Sequence, residues 1–389
     1  MQITWNQQVV KRNNKSLVLQ IIKEQSPLSR ADIAGRLGLN KSTVSSLVSE
    51  LIEEELINET GPGESSGGRR PVMLLFNNEA GFSIGIDIGV NYLLGVLTDL
   101  SGKIIEEKNI PLTKLSYHEV INQVTKIAKE FIDSAPKSRY GVVGIGIAVP
   151  GIVDKIGNVL LAPNLDWNNK DLKVTIEERI KLPVMIENEA NAGAYGEMRF
   201  GSGQDYANMV YISAGIGIGV GLILKGELYR GINGFSGESG HMTIDFNGRK
   251  CSCGRKGCWE AYASEHALLT QASKRFQGEV TLEELISLAS DDNEVNTIFK
   301  DVGMYLGYGI SNLINSLNPE QVIIGNRISM AKDLVTEALN DAIKQQTLVY
   351  HQEQLQINFS KLSVYSSALG VAAFVIENFF KEEQLVEQQ

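Results

Sequence analysis

The sequence predicts an α/β protein in three parts, a small winged helical head followed by two α/β lobes of similar build. Three observations carry that expectation. Residues 1 to 76 hold short amphipathic helical patterns closed by a Gly/Ser run and one strand. A buried strand ending in Asp87 and Gly89 opens the next segment, and a second strand entering a glycine turn, Ser213 to Gly219, opens the third. With 389 residues and 43% hydrophobic content, the chain has material for two or three cores. A net charge of −10 argues at first against nucleic acid, yet residues 1 to 76 carry nine Lys/Arg against eight Asp/Glu, so the acidity belongs to the body. The start, Met1 to Lys15, lacks an apolar signal core, and the run Tyr211 to Leu224 falls short of the roughly 20 apolar residues that span a bilayer. A cytoplasmic protein is expected.

In the head, Leu17, Val18, Ile21 and Ile22 repeat at helical spacing from Asn13 to Gln25, until Pro27 breaks the chain. Ser29-Arg-Ala-Asp32 has the form of a helix cap, opening a short helix with Ala31, Ile33, Ala34 and Leu37 inward. Gly38 supplies the turn to a third helix that turns Val44, Leu47, Val48, Leu51 and Ile52 to one face. Its opposite N-terminal face shows Lys41, Ser42, Thr43, Ser45 and Ser46, small polar groups suited to the edges of bases in a major groove. The Gly/Ser run from Gly61 reads as a flexible linker, except that Arg69 and Arg70 end it just before the strand Val72 to Phe76. A basic tip between strands suits phosphate or a minor groove. The head therefore has the form of a winged helix-turn-helix suited to duplex DNA, a form that helical trios binding protein share.

The lobes follow from Gly81. Strands are expected at Phe82 to Ile88, Tyr92 to Asp99, Ile104 to Ile110 and Gly141 to Val149, with an amphipathic helix from Tyr117 to Ser134. Strands Asn208 to Ser213 and Val220 to Leu224 repeat the opening of the first lobe, so the two read as a duplicated unit. All three cysteines, Cys251, Cys253 and Cys258, fall within eight residues, and His241 precedes them by ten positions. Three thiolates and an imidazole complete a tetrahedral shell for structural Zn²⁺ and leave no position open for a reactive water. Ordinary buried thiols are seldom so clustered, and an odd number without an export signal disfavours disulfides.

Gly237-Glu238-Ser239-Gly240-His241, followed by Cys251-x-Cys253-Gly254-x-x-Gly257-Cys258-x-Glu260, resembles the ROK family (repressors, open reading frames and sugar kinases). The resemblance runs from Ser29 nearly to the C-terminus and is carried also by Pro150-Gly151, Pro163-Asn164 and Glu187-Asn188-Glu189-Ala190-Asn191. It implies a two-lobed actin-like ATPase fold hinged over a cleft, with the last helix, Ala368 to Phe380, returning to lobe one. It also implies that Gly151, Asn164, Asn188, Glu189, Glu238, His241 and Glu260 face a sugar, with His241 serving both zinc and ligand. Ionised carboxylates are strong acceptors for a ring of hydroxyls, which supports those roles chemically. The implied division is 1–76 for the head, 81–190 with 368–389 for lobe one, and 191–367 for lobe two, which holds the zinc and an oligomerisation surface.

Departures from the family's kinases bear on function. Glu189 stands where they have Asp, and a proton-transfer group one methylene too long is misplaced. Asp87-Ile-Gly89-Val90-Asn91 replaces their first phosphate loop, Ser213-Ala214-Gly215 their second, and Gly325-Asn326 the two glycines that approach adenosine. Together these changes argue that ATP chemistry is gone, and the resemblance implies a non-enzymatic repressor released from operator DNA by a sugar; helix-turn-helix readers act as dimers on two half-sites, so a homodimer on a palindromic site is expected. Glu-Asn-Glu-Ala-Asn and Ser-Ala-Gly-Ile-Gly-Ile-Gly are most similar to the family's regulators of xylose utilisation, which makes xylose the expected inducer. The rival readings are a sugar kinase with a DNA-binding head, and a scaffold whose head binds protein.

Overall fold

The computed structural model describes residues 7–62, 71–112, 115–276, 278 and 280–383. Its head has helices Gln7–Gln25, Arg30–Leu37 and Lys41–Glu53, then antiparallel strands Ile57–Pro62 and Val72–Phe76 with Leu28–Ser29 on the outer edge of the second. The cap at Ser29 is a reciprocal box: its hydroxyl accepts from the Asp32 N–H, and Asp32 accepts from the Ser29 N–H at 3.0 Å. Gly38, at φ 66°, ends that helix in the left-handed conformation. Asn40 caps the third helix through the Thr43 N–H. Val18, Ile22, Ile33, Val44, Leu47, Val48 and Leu51 form the core.

Two residues expected inside are not. Leu17 is 47% exposed and Ala31 is also exposed. Successive helical residues turn by about 100°, so a face centred on Val18, Ile21 and Ile22 leaves Leu17 on its flank. The first helix also begins earlier than Asn13. Lys41, Ser42, Ser45 and Ser46 lie exposed on the third helix as expected, with Thr43 partly covered. Arg69 and Arg70, expected at the tip of the wing, lie outside the described residues.

The core of the head runs on into lobe one: Ala80, Leu100 and Ile376 belong to it, and Tyr140, Phe379 and Phe380 pack against it. Phe76 meets Phe380 at 6.1 Å, and the Lys23 ammonium sits over the Phe380 ring at 4.9 Å. Burial, aided by the charge of Arg199, lowers the Lys23 pKa to about 8, against the opposing pull of Glu377 and Glu24. Arg139 of lobe one donates to the Glu53 carbonyl at 2.8 Å, at the end of the third head helix.

The two lobes repeat one topology. In the first, Phe82–Ile88, Tyr92–Asp99 and Ile104–Pro111 form an antiparallel meander, and Val142–Val149 and Val184–Asn188 add in parallel beside Phe82–Ile88. In the second, Met209–Ala214, Ile218–Leu224 and Glu227–Leu228 form the meander, with Gln321–Gly325 and Gln356–Phe359 added in parallel. The duplication read from two glycine turns thus extends through five strands of each sheet. Parallel strands put loop ends and helix N-termini on one edge, which is where ligands meet such sheets.

Helix Glu189–Phe200 and the last helix, Ser366–Glu383, cross beside the lobes. The last helix is long and apolar enough to span a membrane, but 61% of that window is buried. It packs against strands Phe82–Ile88 and Val142–Val149 of the first lobe. A Cβ on Gly85 would strike the Ala368 carbonyl and one on Gly370 the Ala192 carbonyl, so glycine permits both close approaches. Tyr195 stacks on Phe374 at 4.0 Å, and Arg199 pairs with Glu377 at 3.4 Å.

Candidate functional site

The zinc-ligand pattern becomes a cluster in space. One ligand atom from each of His241, Cys251, Cys253 and Cys258 lies within 4.8 Å of the other three. Zn–S bonds of about 2.3 Å on a regular tetrahedron separate the sulfurs by about 3.8 Å. The Cys253 and Cys258 sulfurs are 3.7 Å apart, and Cys251 Sγ is 3.6 Å from His241 Nδ1. The four residues fit a tetrahedral ion. Gly257, at φ 74°, turns the knuckle where a side chain would strike the Asp245 carbonyl. Beside Cys258, the fully buried Trp259 donates from its indole to the Tyr305 carbonyl at 2.9 Å and anchors the knuckle in the core of lobe two. Burial pushes the Cys258 thiol up to about 12, with the neighbouring thiols adding to it. Slight burial acts the same way on Cys253, but hydrogen bonds from Arg255 prevail and bring it down to about 6.

A cleft of about 390 Å³ opens between the lobes, and Gly151, Asn164, Asn188, Glu189, Glu238, His241 and Glu260 all line it. Lobe one brings Gly151 and Asn164 on the turns around its small hairpin, while lobe two brings Glu238 and His241 on one short helical turn. His241 turns Nδ1 to the thiols and also lines the cleft. Glu260 Oε2 accepts from the Ile218 N–H at 3.0 Å, and Oε1 accepts from Ser252 at 3.3 Å. Its carboxylate therefore joins the cysteine knuckle to the glycine turn. Burial raises the Glu238 pKa; His241 opposes that shift and Glu260 adds to it.

Asn188 lines the cleft and also ties together the elements around it. Its Oδ1 caps helix Glu189–Phe200 by accepting from the Ala190 and Asn191 N–H groups at 2.9 and 3.0 Å, and its Nδ2 donates to the Gly151 carbonyl at 2.7 Å. One N–H of the amide is left for the cleft. Its neighbour Glu187 holds Arg230 at 2.7 Å, a clasp between strand Val184–Asn188 and the loop after Leu228.

Side chains pack on the glycines of both altered loops, which line the cleft. Tyr92 lies over Gly89, where a Cβ would strike its ring, and donates to Asp87 Oδ2 at 2.7 Å. Asn326 covers Gly215, with its Nδ2 3.0 Å from the place a Cβ there would take. Ser213 and Asn326 both donate to Glu189 Oε1, at 2.7 and 2.6 Å. Burial raises the Glu189 pKa against those two bonds, and it raises that of Asp87 further, with the charge of Glu189 adding to it. Motif reading singled out Ser213 and Asn326 only as losses from a nucleotide loop. Their bonds to Glu189 cross 24 and 137 residues of chain and left no local signal.

Fold and site together define a sugar-kinase-like body under a winged DNA-binding head. The chain belongs to the ROK family, whose profile matches residues 83–378, and a winged helix-turn-helix DNA-binding profile matches residues 12–58. It is 45% identical over 376 residues to the xylose repressor of Bacillus spizizenii, covering 96% of this chain and 97% of that one. A solved ROK-family transcriptional regulator, a homologue of the Escherichia coli Mlc protein, superposes with a TM-score of 0.82 at 30% identity over 97% of this chain and 98% of that one. A Streptomyces griseus ROK glucokinase with glucose and AMPPNP superposes with a TM-score of 0.70 at 27% identity, covering 76% of this chain and 99% of that one. Full-length likeness therefore falls on the regulators, and the chain is a non-enzymatic DNA-binding regulator of the family.

Proposed function

We propose that the protein represses a xylose-utilisation operon and leaves its operator when D-xylose enters the cleft. The observation that carries this reading is the cleft itself: seven polar or flexible positions for a sugar remain, while Tyr92 and Asn326 occupy the loops that would meet nucleotide. The name of the Bacillus relative supports the choice of sugar, as does the length of Glu189. In a pocket built around Asp, one more methylene reaches into the space that the hydroxymethyl group of a hexose needs. Xylose lacks that group.

The response follows from geometry. A sugar held by Gly151, Asn164 and Asn188 on one side and by Glu238, His241 and Glu260 on the other favours one closure angle. Because the head shares its core with Ile376, Phe379 and Phe380, a shift of the last helix moves the head directly. The sugar acts only through its differential affinity for the closure that disfavours DNA. The His241, Cys251, Cys253 and Cys258 cluster would hold a structural Zn²⁺ that fixes Glu260 and His241 at the cleft wall. Two heads reading half-sites about one helical turn apart require a homodimer on a palindromic operator, and such a reader works in the cytoplasm.

Two results test the reading. In anisotropy with a labelled operator, xylose is expected to release the DNA at lower concentration than glucose, and Glu189→Asp to narrow or reverse that order without restoring ATP turnover. Pocket discrimination of one methylene-sized group is worth about 1–3 kcal/mol, so a separation of tenfold or more is expected. Tighter glucose binding by the wild-type protein would remove xylose as the inducer. On the DNA side, Arg70→Ala is expected to weaken operator and random duplex alike, flattening the salt slope by about one unit if it meets one phosphate. An unchanged affinity and slope would leave the wing tip without a role in binding.

A further inference from the structure

Asn326 occupies backbone that glycine would adopt without strain. Its φ of 62° with ψ of −159° is a sparsely populated combination for any residue with a Cβ, and the residue is buried. Strain of that kind persists where the surroundings over-determine it, and here every polar atom of the side chain is engaged. Nδ2 donates to Glu189 Oε1 at 2.6 Å and to Ser213 Oγ at 3.0 Å, while Oδ1 accepts from the Arg327 N–H at 2.7 Å. The Arg327 N–H and the Glu189 carboxylate fix which end of the amide is which. Arg327 is itself clamped by Glu265 at 2.9 Å and Glu283 at 3.1 Å, so the loop has little freedom. Both donors to Glu189, Asn326 and Ser213, converge on the same oxygen, Oε1, which leaves Oε2 for a group in the cleft.

We propose that Asn326, with Ser213, is a specificity-positioning residue: it pins one oxygen of Glu189 so that the other meets a pentose hydroxyl and fills the space a hexose would need. The inference rests on the sugar-binding reading of the cleft. Asn326 touches no sugar in this scheme and acts through Glu189. Released from Oε1, the Glu189 carboxyl would rotate, withdraw an acceptor from xylose, and make room for the hydroxymethyl group of glucose. The ratio of the two affinities should therefore move from both sides.

The test is calorimetry of the full-length protein with xylose and with glucose, on Asn326→Gly, Ser213→Ala and Glu189→Ala, alone and combined. Asn326→Gly relieves the backbone, so its melting temperature should match or exceed wild type. Its xylose-to-glucose affinity ratio should nevertheless fall by roughly tenfold, the scale of one hydrogen bond to a charged group. Ser213→Ala should shift the ratio less, in the same direction. In the Glu189→Ala background, adding Asn326→Gly should change nothing further, because the coupling partner is gone. A ratio held within about twofold in Asn326→Gly, or an equal shift with and without Glu189, overturns the proposal while leaving xylose binding intact. Wild-type protein that binds neither sugar overturns the reading of the cleft and this inference with it.

Discussion

Cys258→Ser is expected to lower the melting temperature by about 10 °C or more and to abolish the sugar response in the same step. A structural zinc contributes its binding free energy directly to folding, and several kcal/mol are at stake; in lobes of this size each kcal/mol moves the midpoint by about 2–4 °C. The position makes the two losses inseparable. Cys258 is fully buried, Trp259 beside it anchors lobe two through Tyr305, and Glu260 follows as a cleft acceptor. Serine is a poor zinc ligand and leaves a buried hydroxyl beside two thiols. The check combines elemental analysis, thermal melting and xylose titration on reduced protein. Wild type free of zinc, with a melting curve and xylose response unchanged by a chelator, would leave the four ligands as ordinary side chains.

Much of this site was legible because its parts are local. The cysteine spacing, the Glu238–His241 turn and the Glu187–Asn191 run each lie within a few residues, so their chemistry survives translation into sequence. The Ser29 capping box and the left-handed Gly38 were legible for the same reason. What stayed hidden depends on contacts between distant segments. The Asn326–Glu189 bond, the Arg230–Glu187 clasp and the entry of Ile376 into the head's core each join segments that no periodicity relates. Leu17 shows the limit within a helix: hydrophobicity sets the stripe, but the neighbours choose its centre. The shared core also bears on the proposed mechanism, since a head packed on the last helix would feel a movement of the lobes through its side chains.

Glu260→Ala is expected to weaken xylose binding by about a hundredfold while leaving operator affinity unchanged, giving a repressor that stays on its DNA. The magnitude follows from losing a charged acceptor, about 1.5–3 kcal/mol for each hydrogen bond it makes to the sugar. The geometry adds a second loss. Glu260 Oε2 holds the Ile218 N–H, at the end of the glycine turn that forms the cleft wall, so truncation also loosens Gly215 to Gly219. Glu260→Gln separates the two. Its amide oxygen still accepts from Ile218 at similar size, but the charge is gone, so affinity should fall by roughly tenfold and the turn should hold. Zinc content measured on both variants guards against collapse of the knuckle, because Ser252 donates to the other oxygen of Glu260 at 3.3 Å and Cys251 Sγ lies 3.7 Å from it. With zinc retained, wild-type xylose affinity in Glu260→Ala would remove this carboxylate from the sugar site. Loss of affinity only where zinc is also lost would assign it to the knuckle instead.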